Sequence, residues 1–204
     1  MKPIVAIVLL AAGMATRMAP SGGHKLLAEF NGMPLVRRSA LTAINSHAES
    51  VTVVVGHRQD DIRNALSDLQ LSVVANPDYA SGIASSLVIG FAAAAANGAD
   101  GILVMLADMP AVTSCDLNRL ITAFQDSKRE SIVRAVSQGK PGNPVILPRS
   151  LYDAVPRLRG DVGARDLIKT SGLPVIEIEI GEAAQIDVDT PEAIIAAGGI
   201  PAES

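Results

Sequence analysis

The chain has a single cysteine, no tryptophan and only 2% aromatic residues. Each scarcity excludes something. Cys115 has no partner for an internal disulfide, which fits a reducing cytosol rather than a disulfide-stapled secreted scaffold. With few aromatics in a chain that is 49% hydrophobic, the core has to be built from Ala, Val, Ile and Leu, a composition suited to buried parallel strands under Ala-rich helices. Basic excess is also missing: the net charge is −4, against the concentrated basic face of a nucleic-acid binder. No long apolar run occurs. Ile4–Leu10 is too short to span a bilayer and leads into a glycine loop rather than a cleavage site, and Asn97 and Asp100 close the Ala92–Ala96 stretch. A cytoplasmic protein without membrane or nucleic-acid partners is expected.

What remains is an alternation of short β-branched runs with helical stretches. Strands are expected at Ile4–Leu10, Val51–Val55, Ser72–Ala75, Gly101–Leu106, Ser131–Val136, Val145–Leu147 and Val175–Ile180. Apolar residues at helical spacing predict helices over Pro34–Ser46, Asp60–Leu69, Ser85–Ala96 and Ser114–Gln125. That order indicates βαβ units and a mostly parallel sheet, whose ligands bind at the carboxyl ends of the strands. The 204 residues fit one domain, 1–204, with no linker and no repeat.

Polar turns follow three of these strands. The first runs Leu10-Ala11-Ala12-Gly13 on to Arg17 and Lys25. Its small residues admit a triphosphate to backbone N–H groups, and the two bases suit phosphate; read alone, the loop is more readily an ordinary turn with two solvated cations. It is neither a P-loop, since Lys25 is followed by Leu26, nor a dinucleotide fingerprint, since Ala15 and Met18 replace the later glycines. A Rossmann oxidoreductase therefore has little support. The second turn is Asn76-Pro77-Asp78, followed by Gly82, Ser85 and Ser86, where Ser85 also suits a helix cap. The third is Ala107-Asp108-Met109-Pro110. A hard carboxylate at Asp108 suits Mg2+, while Ser114, beside Thr113, is the expected cap of the next helix. In an extended Ile186–Asp189, the two acids share one face, with Asp187 preferred over Asp189 for the metal and Thr190-Pro191 starting a helix. His24, His47 and His57 have no metal-ligand spacing, and no thiolate role arises for Cys115.

Together with Gly139-Lys140-Pro141-Gly142-Asn143-Pro144-Val145, Gly160-Asp161-Val162-Gly163-Ala164-Arg165 and Asp187-Val188-Asp189-Thr190-Pro191-Glu192, these loops resemble the molybdenum cofactor cytidylyltransferases. The motifs run in order from Leu10 to Glu192. The resemblance implies an α/β, Rossmann-like three-layer sandwich with a mostly parallel mixed sheet, of the nucleotide-diphospho-sugar transferase type. It implies Mg2+-dependent transfer of CMP from CTP to the terminal phosphate of molybdenum–molybdopterin, with release of pyrophosphate. In that family an Ala-Ala-Gly loop goes with cytidine, and Ala11-Ala12-Gly13 matches it. Catalytic roles then fall to Arg17, Lys25 and Asp108. Nucleotide binding falls to Leu10, Ala11, Ala12, Gly13, Lys25, Asn76, Gly82, Ser85, Ser86 and Asp108, acceptor binding to Lys140, Asn143, Asp161 and Arg165, and the metal to Asp108 and Asp187. Ala15 and the longer interval between Arg17 and Lys25 depart from the family pattern. Use of GTP, another phosphorylated acceptor, or a carrier that delivers the cofactor to a molybdenum enzyme are the alternatives.

Overall fold

The structure, a computed structural model, describes residues 2–15, 18, 23–127, 129–161 and 163–202. Nine strands and six α-helices occur among them. They are β1 (Val5–Ala11), β2 (Glu29–Phe30), β3 (Met33–Pro34), α1 (Leu35–Ile44), β4 (Ser50–Val55), α2 (Gln59–Leu66), β5 (Ser72–Ala75), α3 (Ile83–Ala95) and β6 (Gly101–Leu106). Then come α4 (Ser114–Asp126), β7 (Ile132–Ser137), β8 (Lys140–Pro148), α5 (Ala164–Thr170), β9 (Val175–Glu179) and α6 (Pro191–Ala196). Seven strands form one sheet in the order β5-β4-β1-β6-β8-β7-β9. The pairs β5–β4, β4–β1, β1–β6 and β7–β9 are parallel, whereas β8 runs antiparallel to both its neighbours.

All seven expected strands lie in this sheet. Alternation along β1 divides its side chains between two faces: Val5, Ile7, Leu9 and Ala11 join a core with α1, α2 and α4, while Ala6, Val8, Leu10 and Ala12 join one with α3 and α5. A sheet covered on both sides has no polar face, which is why its central strands read as continuous apolar runs. The helix α3 lies so close to the sheet that a Cβ at Gly90 would stand 2.4 Å from Val8 Cγ1 and 3.0 Å from Val54 Cγ2.

Several local expectations need correction. Thr113, not Ser114, caps α4: its side chain accepts the Asp116 N–H, and Asp116 returns a bond to the Thr113 N–H. Gly139–Val145, grouped above with the loops, is mostly strand, since β8 already begins at Lys140. The turn itself is Gln138-Gly139, with φ of 50° and 74°, the two positive values of a type I′ hairpin. The same geometry at Asn31 and Gly32, φ 54° and 73°, joins β2 to β3 in a small hairpin that was not expected and that takes Pro34 from the start of the expected helix. Thr190 and Pro191 do open a helix, with the Thr190 hydroxyl accepting the Ala193 N–H.

Filling the helix–sheet contact tests this packing. Gly90→Val is expected to cost about 1–3 kcal/mol through overpacking, read as a fall in Tm of roughly 3–10 °C. An unchanged Tm by thermal circular dichroism would contradict the close approach.

Candidate active site

Asp108 sits just past the end of β6, where Ala107 N–H still continues the ladder to Leu10 O at 3.1 Å. Val104, Leu106 and Asp108 follow one face of the strand, whereas Leu103, Met105 and Ala107 are buried in the core under α1 and α4. The Asp108 carbonyl accepts Val188 N–H at 2.9 Å, which clamps residues 187–189 against the strand end. Val188 is buried, so its two neighbours, Asp187 and Asp189, are left beside Asp108. Carboxylate oxygens of Asp108, Asp187 and Asp189 all lie within 4.8 Å of one another.

Lys25 completes the cluster. Its Nζ donates to Asp108 Oδ2 at 2.5 Å and to Asp189 Oδ1 at 2.5 Å. The lysine and Asp108 side chains are only 13% and 15% exposed. Burial opposes the Lys25 charge, but the two carboxylates outweigh it and raise its pKa. Asp187 is also raised, by desolvation first and then by the negative charges of Asp108 and Asp189. Three carboxylates thus face one ammonium, and Asp108 Oδ1 is buried without a hydrogen-bond partner. An orphaned carboxylate oxygen beside two more acids is an all-oxygen donor set of the kind that hard divalent cations take.

Two cavities meet at this cluster. One, of about 370 Å3, is lined by Leu10, Ala12, Gly13, Lys25, Gly82, Ser86 and Asp108 among others. The second, of about 800 Å3, has Asn143, Asp161, Arg165 and Asp187 in its wall, with an apolar floor that includes Leu87, Val104 and Val145. Leu10, Ile83, Leu106 and Asp161 belong to both. The shared wall arises from a backbone contact: Ala84 N–H donates to Gly160 O at 3.1 Å. Gly82, at φ +110°, lies so near that a Cβ there would stand 2.4 Å from the Gly160 carbonyl.

Not every expected residue reaches this cleft. Ala11 points its side chain into the core on the opposite face of β1. Asn76 is buried and braces the backbone instead, its amide donating to Ser85 and Ser86 Oγ at 2.8 and 2.9 Å while Oδ1 accepts Asp78 N–H. Ser85 turns its hydroxyl to the Gly82 and Asp78 carbonyls, so it lines neither cavity. Lys140 pairs with Ser137 at the hairpin end, exposed and away from both cavities. Arg17 lies outside the described residues.

Other residues join the site unannounced. Arg134 lines the larger cavity, with Nη2 2.5 Å from Glu177 Oε1 on β9. A charged residue inside the apolar run Ser131–Val136 was the available signal. His24 and His57 stack beside the Gly13 loop, with centroids 5.4 Å apart, and their separation in the chain gave no hint of this.

A family model described as the MobA-like NTP transferase domain matches residues 7–175. Nicotine blue oxidoreductase of Paenarthrobacter nicotinovorans is 30% identical over 196 residues, covering 93% of this chain and 94% of that protein. Molybdenum cofactor cytidylyltransferase of Escherichia coli strain K12 is 24% identical over 192 residues, 93% of each. The structure of Rv0371c from Mycobacterium tuberculosis H37Rv aligns with a TM-score of 0.83 at 24% identity, over 97% of this chain and 98% of that one. A complex of Rv0371c with manganese aligns at 0.77, again 24% identical, over 95% and 97%. The structural likenesses establish that this chain shares their fold.

The acid cluster has a measurable signature in metal-free protein. The folded state holds the Asp187 proton more tightly than the unfolded chain does. Stability is therefore lost as pH rises from the ordinary carboxylate value through the raised one. In EDTA, Asp187→Asn is expected to have a higher Tm than the parent at pH 7, an advantage that vanishes near about pH 3, where the acid is protonated in both states. Added Mg2+ should raise the parent's Tm more than the variant's. A lower Tm for the variant in EDTA at pH 7 would contradict the crowding of charge.

Proposed function

This chain belongs to the MobA-like NTP transferase domain family, and from that membership we propose that it joins CMP from CTP to the terminal phosphate of molybdenum–molybdopterin with Mg2+ and releases pyrophosphate. The observation that carries the reading is the Lys25–Asp108–Asp187–Asp189 cluster at the seam of two cavities. One cavity, floored by the small residues of the first loop, takes the nucleotide; the larger takes the acceptor. The Ala-Ala-Gly form of that loop supports cytidine, and the share of the chain matched by a molybdenum cofactor cytidylyltransferase supports the acceptor.

Both reactants are anions, so the barrier is one of charge and position, and the protein needs no nucleophile of its own. An acceptor phosphate oxygen forms a bond to the α-phosphorus as the bond to the β-phosphate oxygen breaks, and the electron pair leaves with pyrophosphate. A divalent cation held by Asp108 with Asp187 and Asp189 would offset triphosphate charge and make the α-phosphorus more electrophilic. Lys25 stays protonated and supplies positive charge beside the reacting phosphates, while its contacts keep Asp108 and Asp189 in place. Asn143, Asp161 and Arg165 orient the acceptor from the larger cavity. A cytoplasmic site of action, with a molybdenum enzyme as recipient, completes the proposal; no helix among the described residues is long and apolar enough to cross a membrane.

The test is pyrophosphate release from purified protein, Mg2+, molybdenum–molybdopterin and each nucleoside triphosphate in turn. Release with CTP is expected, and Asp108→Asn should lower the rate on the order of 100-fold or more, the scale of losing one preorganised electrostatic group, with an unchanged circular dichroism spectrum. Wild-type turnover by that variant would remove the acid cluster from the mechanism. Release with GTP alone would make the chain a guanylyltransferase. The relative named an oxidoreductase makes redox chemistry the second reading, and NAD(P)H oxidation with a quinone-like dye, without pyrophosphate release, would favour it.

A further inference from the structure

Two consecutive carbonyls at the bend of the first loop are both engaged. His57 N–H donates to Ala12 O at 3.3 Å, and His24 Nε2 lies 3.3 Å from Gly13 O. The two imidazoles that flank these contacts stack on one another, with an interplanar angle of 26°. His24 is 1% exposed. Its second ring nitrogen, Nδ1, accepts Leu26 N–H at 3.3 Å and so caps the turn Lys25–Leu27. Burial, working against the Gly13 hydrogen bond, lowers the His24 pKa to about 4, so the ring is neutral at physiological pH. A neutral imidazole that accepts at Nδ1 carries its proton on Nε2, which makes Nε2 the donor to Gly13.

This arrangement matters because of what faces the loop. Carbonyl oxygens repel the oxygens of a polyphosphate, and a loop that receives one has to turn its C=O groups away and its N–H groups toward it. Sterics do not settle the matter at Gly13: it has no side chain, and a Cβ built there meets nothing within 4 Å. Its peptide orientation depends on what binds the carbonyl. The same imidazole holds the turn that carries Lys25. We infer that His24, stacked on His57, is a positioning residue that latches the Gly13 carbonyl to the Lys25 turn and presets the loop for the triphosphate of the incoming nucleotide. The ligand in this inference rests on the transferase reading above; the latch belongs to the free protein.

Two substitutions separate the ring's contacts. The amide nitrogen of His24→Gln reaches the place of Nε2 and can still donate to Gly13 O. His24→Asn supplies an acceptor near Nδ1, keeps the cap on Leu26 and leaves the Gly13 carbonyl free. In 15N relaxation of the nucleotide-free protein, order parameters at Gly13 and Met14 should fall from the rigid range of about 0.85 to below about 0.6 in the Asn variant and return towards the parent value in the Gln variant. Titration with CTP and Mg2+ by calorimetry should show Kd weakened about tenfold in the Asn variant, the scale of one hydrogen bond, and by less than about threefold in the Gln variant. In turnover the Asn variant should raise KM for CTP with kcat within about twofold, the pattern of lost uniform binding. Parent-like order parameters in the Asn variant, or equal loosening in both, would overturn the latch. A parent protein that binds no nucleotide would instead sink the transferase reading, while the relaxation data would still decide the latch.

Discussion

Lys25 donates from one ammonium to Asp108 and Asp189, residues 83 and 164 positions away in the chain. Through that nitrogen the turn after the first loop, the exit of β6 and the stretch before α6 are held at one point. The side chains concerned are mostly shielded, so the pairs are screened less than surface ion pairs and their loss leaves charge behind in a poorly solvated place. Yet the cluster is not balanced. One ammonium meets three acids, and Asp187 is held above its ordinary pKa by desolvation first and then by the other two carboxylates. Surplus negative charge and an unpartnered buried oxygen give this site the donors that a further cation takes.

The sheet explains why this point lies where it does. β1 and β6 are parallel neighbours, and their carboxyl ends release the Ala12–Ala15 loop and the Asp108 turn side by side. The antiparallel β8 and the parallel β7–β9 pair widen the crevice on one side, and α5 closes it with Arg165 in the wall. Gly82 allows the segment before α3 to touch the Gly160 backbone, so the smaller and larger cavities share a wall instead of standing apart. Two cavities then open onto a single acid cluster, the geometry that the proposed transfer between phosphates requires.

Much of this was legible because it is local. Apolar runs of strand length, interrupted by helical spacing, identify all seven strands of the large sheet. The exit of β6 announces Asp108, since a carboxylate between a buried strand and a proline turn has no packing role. The two hairpin turns were equally local and still escaped: Asn31-Gly32 and Gln138-Gly139 are two-residue turns whose positive φ values declare themselves in the residue pair rather than in any hydrophobic period. Asn76 and Ser85 were misplaced for the opposite reason. Residues that suit ligand contact by type are as able to satisfy backbone groups, as the Asn76 carbonyl oxygen does for Asp78 N–H and the Ser85 hydroxyl for Gly82 O.

Composition and order of residues by themselves determined the layered sheet, the loops at its carboxyl edge, the place of Asp108 at a strand exit and the family resemblance, because strand burial and turn chemistry depend on near neighbours. Only the tertiary structure decided that Lys25 bridges Asp108 and Asp189, that Asp187 and Asp189 both join the cluster, that His24 stacks on His57, and that Arg134 faces the larger cavity. Each of these is a meeting of side chains from distant segments. No spacing along the chain encodes such a distance; it is set by which strands lie adjacent and which face each side chain takes.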